Sequence, residues 1–187
     1  MPFLRELRMP SRFYLRTRST RQLDAVVRAA IVELCTAAYQ EDFSRLFYYL
    51  PTDGLHFIAY FDEELVSHAV VTTRWVQPER LPVLRAAYVD AVATLPAYQR
   101  RGFGTAVMRE LIANISAYDI ACLKTDRMGF FERLGWQRWR GPRAGRSGSE
   151  LIRTPDQQNI MVLRLANTPP LDLDRALTIE AQAGRIW

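Results

Sequence analysis

"AYVDAVATLPAYQRRGFGTAVMREL", residues 87–111, decides how the rest of the chain is read. Its first part continues an apolar, alternating run from Val83 to Leu95 and reads as a strand. Its last part opens a helix of about residues 103–117, with Val107, Met108, Leu111, Ile112 and Ile115 on one face. Between them lies "PAYQRRGFG", two arginines and two glycines set directly before a helix start. The first amides of a helix have no intrahelical partner, so those of Arg101 to Thr105 can hold an anion. Gly102 and Gly104 let the chain turn sharply and let phosphate oxygens come close to the backbone, and Arg100 and Arg101 can add charge. The spacing is neither GxGxxG nor GxxxxGK[ST], which disfavours a dinucleotide fingerprint or a P-loop. Taken alone, the segment reads equally well as a glycine-relaxed loop entering a surface helix.

Working outward, "RFYLRTR" (12–18) alternates as a strand, and Ser19 or Thr20 can cap a helix carrying Leu23, Val26, Val27, Ala30, Ile31 and Leu34 at helical spacing. "LHFIAYF" (55–61) and "ELVSHAVVTTRWV" (64–76) form a hairpin across "DEE", and the strand of residues 83–95 extends it. After the helix come "DIACLKT" as a buried strand, "RMGFFERL" as a short helix stopped by Gly135, and "WQRWR" and "NIMVLRL" as strands. "GPRAGRSGSE" (141–150) reads as a loop and "DLDRALTIEAQAG" (172–184) as a final helix. The expectation is one domain over residues 1–187: an α+β, three-layer (α/β/α) arrangement with a mixed central sheet flanked by helices.

Composition narrows the chemistry. No apolar run approaches the roughly 20 residues of a membrane span, so no membrane role is expected. Cys35 and Cys122 lie in apolar segments without metal-ligand or redox spacing, which fits a reducing cytoplasm and implies no metal. The arginine-rich start lacks the apolar stretch of a secretory signal. Net charge is +5, and of 25 basic residues only Lys124 is a lysine. Arginine's planar fork suits phosphate and carboxylate. The arginines are spread along the chain, so a polyphosphate cofactor is favoured over nucleic acid.

With these elements in place, "QRRGFG" after "AYVDAVATLPAY" resembles the acetyl-CoA motif Q/R-x-x-G-x-G/A of the GNAT superfamily of N-acetyltransferases, and "FFERLGW" resembles its later aromatic-glycine signature. A narrower resemblance is carried by "EDF" (41–43), "AYVDAVAT" (87–94), "LGWQRWRGP" (134–142), "RTPD" (153–156) and "AGRIW" (183–187). These look like successive stretches of the aminoglycoside 2'-N-acetyltransferases.

The resemblance implies a GNAT fold, acetyl-CoA as cosubstrate and a small-molecule, aminoglycoside-like amine as acceptor. It places the pantetheine arm along Val92, Ala93 and Thr94, and the pyrophosphate on Gln99, Arg100, Arg101, Gly102, Phe103, Gly104 and Thr105. Asp90 stands where relatives carry a glutamate base, and acts directly or through water; otherwise it only punctuates a strand. Asp42 matches an acidic substrate-binding position, with a helix cap as the alternative. Trp187 matches the terminus that reaches the substrate amine, with a frayed tail as the alternative. Two departures stand out: Phe131 replaces the usual tyrosine acid, leaving Tyr88, water or unassisted departure, and Gln157 and Arg185 stand where relatives tend to carry acids. An arginine near the terminus suits a substrate with fewer amines or its own carboxylate, which points to kasugamycin, with Arg185 on the carboxylate. Gentamicin or tobramycin, another small amine, or a CoA-binding module without catalysis are the alternatives. Subunit pairing through the last elements would suit a homodimer, and His56 and His68 read as ordinary strand histidines.

Overall fold

The computed structural model describes residues 12–154, 158–182 and 186–187. In chain order the elements are β1 (Phe13–Ser19), α1 (Ala25–Tyr39), α2 (Leu46–Tyr49), β2 (Leu55–Phe61), β3 (Glu64–Pro78), β4 (Leu84–Thr94), α3 (Phe103–Ala113), β5 (Ile120–Lys124) and α4 (Met128–Glu132). They continue with β6 (Gln137–Arg138), β7 (Arg143–Ser147), β8 (Glu150–Arg153), β9 (Ile160–Arg164) and β10 (Leu177–Glu180). All ten strands join one sheet in the order β6-β9-β5-β4-β3-β10-β7-β8, with β2 and then β1 added along the first half of β3. The β4–β5 and β10–β7 pairs are parallel and the rest antiparallel.

Local chemistry explains the first half. Asp24 caps α1, its carboxylate accepting from Val27 N at 2.9 Å, so the cap lies beyond the expected Ser19 or Thr20. The β2–β3 turn consists of Asp62 and Glu63, both left-handed (φ 48° and 64°), the geometry whose twist matches a two-residue hairpin. α3 stops at Ala113 instead of 117, where the Asn114 side chain bonds back to the Glu110 carbonyl at 2.8 Å.

Two sequence expectations are overturned in the second half. Residues 141–150 form β7 and the turn into β8, and within 172–184 the chain makes a turn and then β10. Both strands are fixed by pairing distant in sequence, β10 lying between β3 and β7. Glycine is required there for contact reasons: a Cβ on Gly141 would stand 1.8 Å from the Arg175 carbonyl oxygen, and one on Gly145 would stand 2.6 Å from Ile186 Cγ2. In "LTIE" the buried residues are Leu177 and Ile179, the alternation of a strand.

The sheet is covered on both faces. On one, Val107, Met108 and Leu111 of α3 and Phe131 of α4 pack on Ala87, Val89 and Val71. On the other, α1 (Ile31, Leu34) covers Val70, Ala91 and Ala93, and a second cluster joins Tyr88, Trp139, Ile179 and Trp187. This is the three-layer arrangement the sequence implies.

Candidate active site

The site is organised by β4. Its first half pairs with β5 from Ala86↔Ile120 to Val89↔Leu123, and there the β5 ladder ends. From Asp90 to Thr94, β4 keeps pairing with β3 on its other side. One strand edge is therefore released from its neighbour in mid-sheet, a place where an extended ligand can add itself as a strand. At the same point the β3–β4 register slips by one residue between His68 and Val70, and Ala91 is left-handed (φ 48°). This β-bulge turns Asp90 and Ala91 to the same face of the sheet. Tyr88 before it belongs to the cluster with Trp187, and Ala91 and Ala93 after it to the cluster under α1. Asp90 thus sits, partly exposed, at the seam between two buried clusters.

From the end of β4 the chain makes a single 3-10 turn at Pro96–Tyr98 and enters α3 through a left-handed Arg100 (φ 60°) and Gly102 (φ 92°). The first helical bond runs from Ala106 N to Gly102 O, so the amides of Phe103, Gly104 and Thr105 face outward from the helix start. A Cβ on Gly104 would lie 3.1 Å from Thr94 Oγ1, so a glycine is what lets the helix start close onto the strand end. The amides and the open edge of Val92–Thr94 therefore adjoin, an arrangement that fits a phosphate joined to an extended arm.

Side chains in this loop play different parts. The Arg101 guanidinium lies over the rings of Phe61, Tyr98 and Phe103, at 5.2, 5.0 and 5.5 Å, and fixes the aromatic base of the loop. Gln99 Nε2 donates to the Thr94 carbonyl at 3.1 Å, and Ser67 Oγ bridges the Ala93 carbonyl and Thr94 Oγ1. The side chains of Phe103 and Arg101 thus belong to the frame of the loop, beside the helix-start amides.

Beside Asp90 lie the end of α1 and, in the neighbouring cluster, Trp187. Tyr39 Oη donates to the Val92 carbonyl at 2.9 Å, and burial, aided by Cys35, Asp90 and Glu41, pushes its hydroxyl far above the usual phenol range. Tyr39 therefore stays protonated, as a donor. Asp42 accepts from Ser44 N at 2.8 Å and from Ser44 Oγ at 3.0 Å, and these bonds hold its carboxyl below the usual range. It is an exposed turn-forming carboxylate before α2, close in role to the capping alternative. Trp187 is 6% exposed, and its Nε1 donates to Thr154 Oγ1 at 3.1 Å, so it is anchored and not frayed. Arg185 and Gln157 lie outside the described residues.

Sequence reasoning missed Tyr39 and Arg74. Arg74 is buried beneath β4, its guanidinium 5.0 Å from the Tyr88 ring centroid and its Nη2 donating to the Glu180 and Ile186 carbonyls. It ties β10 and the Trp187 segment to the centre of the sheet. The signal was present in "AVVTTRWV", a cation at an inward position of an alternating strand. Phe131 packs edge-on against Phe130 and Trp136 within the core. The thiols of Cys35 and Cys122 are pushed up to about 12 by burial, which removes them as nucleophiles. Among the described residues no group of His, Cys, Asp and Glu could hold a metal, and no helix is long and apolar enough to cross a membrane.

A bulged strand released from its parallel neighbour runs into an uncapped helix start, a frame suited to an extended, phosphate-bearing ligand. Residues 23–136, more than half the chain, match the model of the acetyltransferase (GNAT) family, and the chain belongs to that family. It is 28% identical over 174 residues to an aminoglycoside 2'-N-acetyltransferase of Mycolicibacterium fortuitum, covering 90% of this chain and 89% of that protein. Among solved structures it is similar to the GNAT family N-acetyltransferase YhbS of Escherichia coli in complex with CoA (TM-score 0.62, 15% identity, 91% and 90% of the two chains). It also resembles Eis1 of Mycobacterium abscessus (TM-score 0.57, 18% identity, 69% of this chain), of which it spans only 32%.

Proposed function

We propose that the protein acetylates the 2'-amino group of an aminoglycoside antibiotic from acetyl-CoA, with kasugamycin as the substrate. The observation that carries this reading is Asp90, a carboxylate at the seam beside the open edge of β4, in a chain similar along nearly its whole length to a 2'-N-acetyltransferase. In it, the amides of Phe103 to Thr105 at the α3 start receive the pyrophosphate, and Val92, Ala93 and Thr94 receive the pantetheine arm. An amine held against Asp90 loses its proton to the carboxylate, directly or through water. Its lone pair forms the new C–N bond as the thioester C–S bond breaks, and the departing thiolate takes a proton from water. Phe131 supplies no proton, being a phenyl ring buried in the core.

Substrate choice rests on charge. The protein carries a net charge of +5, which favours a substrate with few amines and a carboxylate of its own over a polycation. Kasugamycin, with one amino sugar and a carboxylate, suits such a surface, with Arg185 as the partner of that carboxylate. Purified protein incubated with acetyl-CoA and kasugamycin should yield a monoacetylated product by mass spectrometry, and a resistance panel should show protection against kasugamycin only. Protection against gentamicin and tobramycin instead would overturn the substrate while keeping the reaction; acetyl-CoA binding with no turnover on any amine would overturn the reaction.

A further inference from the structure

The bulge that aims Asp90 is itself held by a buried chain of polar groups that acetyl transfer does not use. Ala91, the left-handed residue of the bulge, offers its carbonyl to His68 Nδ1 at 2.9 Å. His68 Nε2 meets His56 Nδ1 at 2.9 Å, and His56 Nε2 meets Thr20 Oγ1 at 3.0 Å. Both imidazoles have no exposed surface, and Thr20 is buried as well. The chain therefore crosses β3 and β2 from the bulge to the turn before α1 without meeting solvent.

Its protons can be assigned from one end. A carbonyl only accepts, so His68 carries its proton on Nδ1 and presents a bare Nε2. That nitrogen must be met by a donor, which puts the His56 proton on Nδ1 too. His56 Nε2, left bare, then accepts from the Thr20 hydroxyl at 3.0 Å; the same hydroxyl lies 3.2 Å from the Gly54 carbonyl, but the Thr20 N–H already serves that carbonyl at 2.8 Å, so the hydroxyl proton goes to His56. In this arrangement all four ring nitrogens are satisfied. Burial opposes charging at both rings, outweighing the Ala91 carbonyl that favours it at His68; at His56 the His68 ring and Arg28 oppose it too, while Phe47 stacks on its outer face at 5.7 Å.

We propose that Thr20, His56 and His68 form a tautomer-locked relay that sets the β4 bulge at Ala91, making the two histidines positioning residues for Asp90. The structural part stands alone; its consequence for turnover rests on the acetyl-transfer reading above.

The chain contains only two histidines, so 15N-edited imidazole spectra of the untagged 187-residue chain report on these rings alone. Both are expected in the Nδ1–H tautomer, the minor one for free histidine, and unchanged between pH 8 and 5. Either ring with its proton on Nε2, or titrating near pH 6.5, overturns the relay. For the catalytic consequence, His68→Leu should lower kcat by about tenfold or more while the KM for acetyl-CoA stays within about threefold, and His68→Asn, which keeps a donor for Ala91, should recover most of kcat. A folded His68→Leu protein with unchanged kcat overturns the positioning role. Should His68→Leu not fold, Thr20→Val removes only the distal hydroxyl; a mixed His56 tautomer with a lowered kcat supports the relay, and an unchanged spectrum and kcat overturn it. Wild-type protein with both rings locked and no turnover on any amine supports the relay and overturns only the acetyl-transfer reading.

Discussion

Acidification from pH 7 to 5 should cost this protein a large part of its stability, through His56 and His68 alone. Desolvation pushes the His68 ring down to about 4, and desolvation, the His68 ring and Arg28 push His56 down to about 3. Both folded values lie below the ordinary imidazole value, so their contribution is fully present above about pH 6.5 and is lost as pH falls toward the folded values. Between pH 7 and 5 the unfolded chain takes up most of two protons while the folded chain takes up almost none. Integrating the linkage relation over that interval gives about 2 kcal/mol for each ring and about 4 kcal/mol for the pair, against about 5–15 kcal/mol for a typical domain. The size is insensitive to the folded values once both lie below 5. Ordinary carboxylates, near 4, stay mostly ionised in this range and add little. Urea unfolding at pH 7, 6 and 5 measures the fall directly, with the His56→Gln/His68→Gln double variant as the control whose midpoint should hardly move. A fall of less than about 1 kcal/mol in the wild type, or an equal fall in the variant, would refute the assignment of two buried neutral rings.

Asp90→Asn keeps the shape of the seam but removes the proton acceptor, and should lower kcat by about a hundredfold with little change in acetyl-CoA binding, read by steady-state kinetics and calorimetry. Trp187→Ala empties a buried position against Tyr88 and orphans the Thr154 bond, and should cost about 3–5 kcal/mol in denaturant unfolding. Gly141→Ala should be more damaging than Gly102→Ala: the first drives a Cβ to 1.8 Å from a backbone carbonyl, whereas the second meets nothing within 4 Å and costs only the strain of its φ of 92°, about 1–2 kcal/mol. Thermal melts of the two variants test that order.

Much of the fold was legible because its signals are local. The hairpin turn at Asp62–Glu63, the alternation of β2 to β4 and the helical stripe of α3 each follow from a few adjacent residues. The segments misread as a loop and a helix, at 141–150 and 172–184, became β7 and β10 because each completes the other's ladder, and neither ladder exists until residues 34 apart are brought together. In the candidate site, the glycine-flanked helix start was readable from local spacing, while Asp90 was singled out by the family resemblance. Arg101 shows the limit: its position in the motif suggested a phosphate ligand, yet its guanidinium lies over three rings, Tyr98 and Phe103 close by in the chain and Phe61 brought in from β2.

By itself, then, the sequence determined the three-layer plan and the helix start with its uncapped amides, because those depend on neighbours a few residues apart. Only the tertiary structure decided how those parts are arranged around Asp90. A register slip opposite His68 turns Asp90 toward the seam, an early end to β5 frees one edge of β4, and Arg74 gathers Glu180 and Ile186 beneath the sheet. The physical reason is the same in each case: a bulge, an open edge and a buried cation are defined by what lies across the sheet, and that is fixed only when the strands pair.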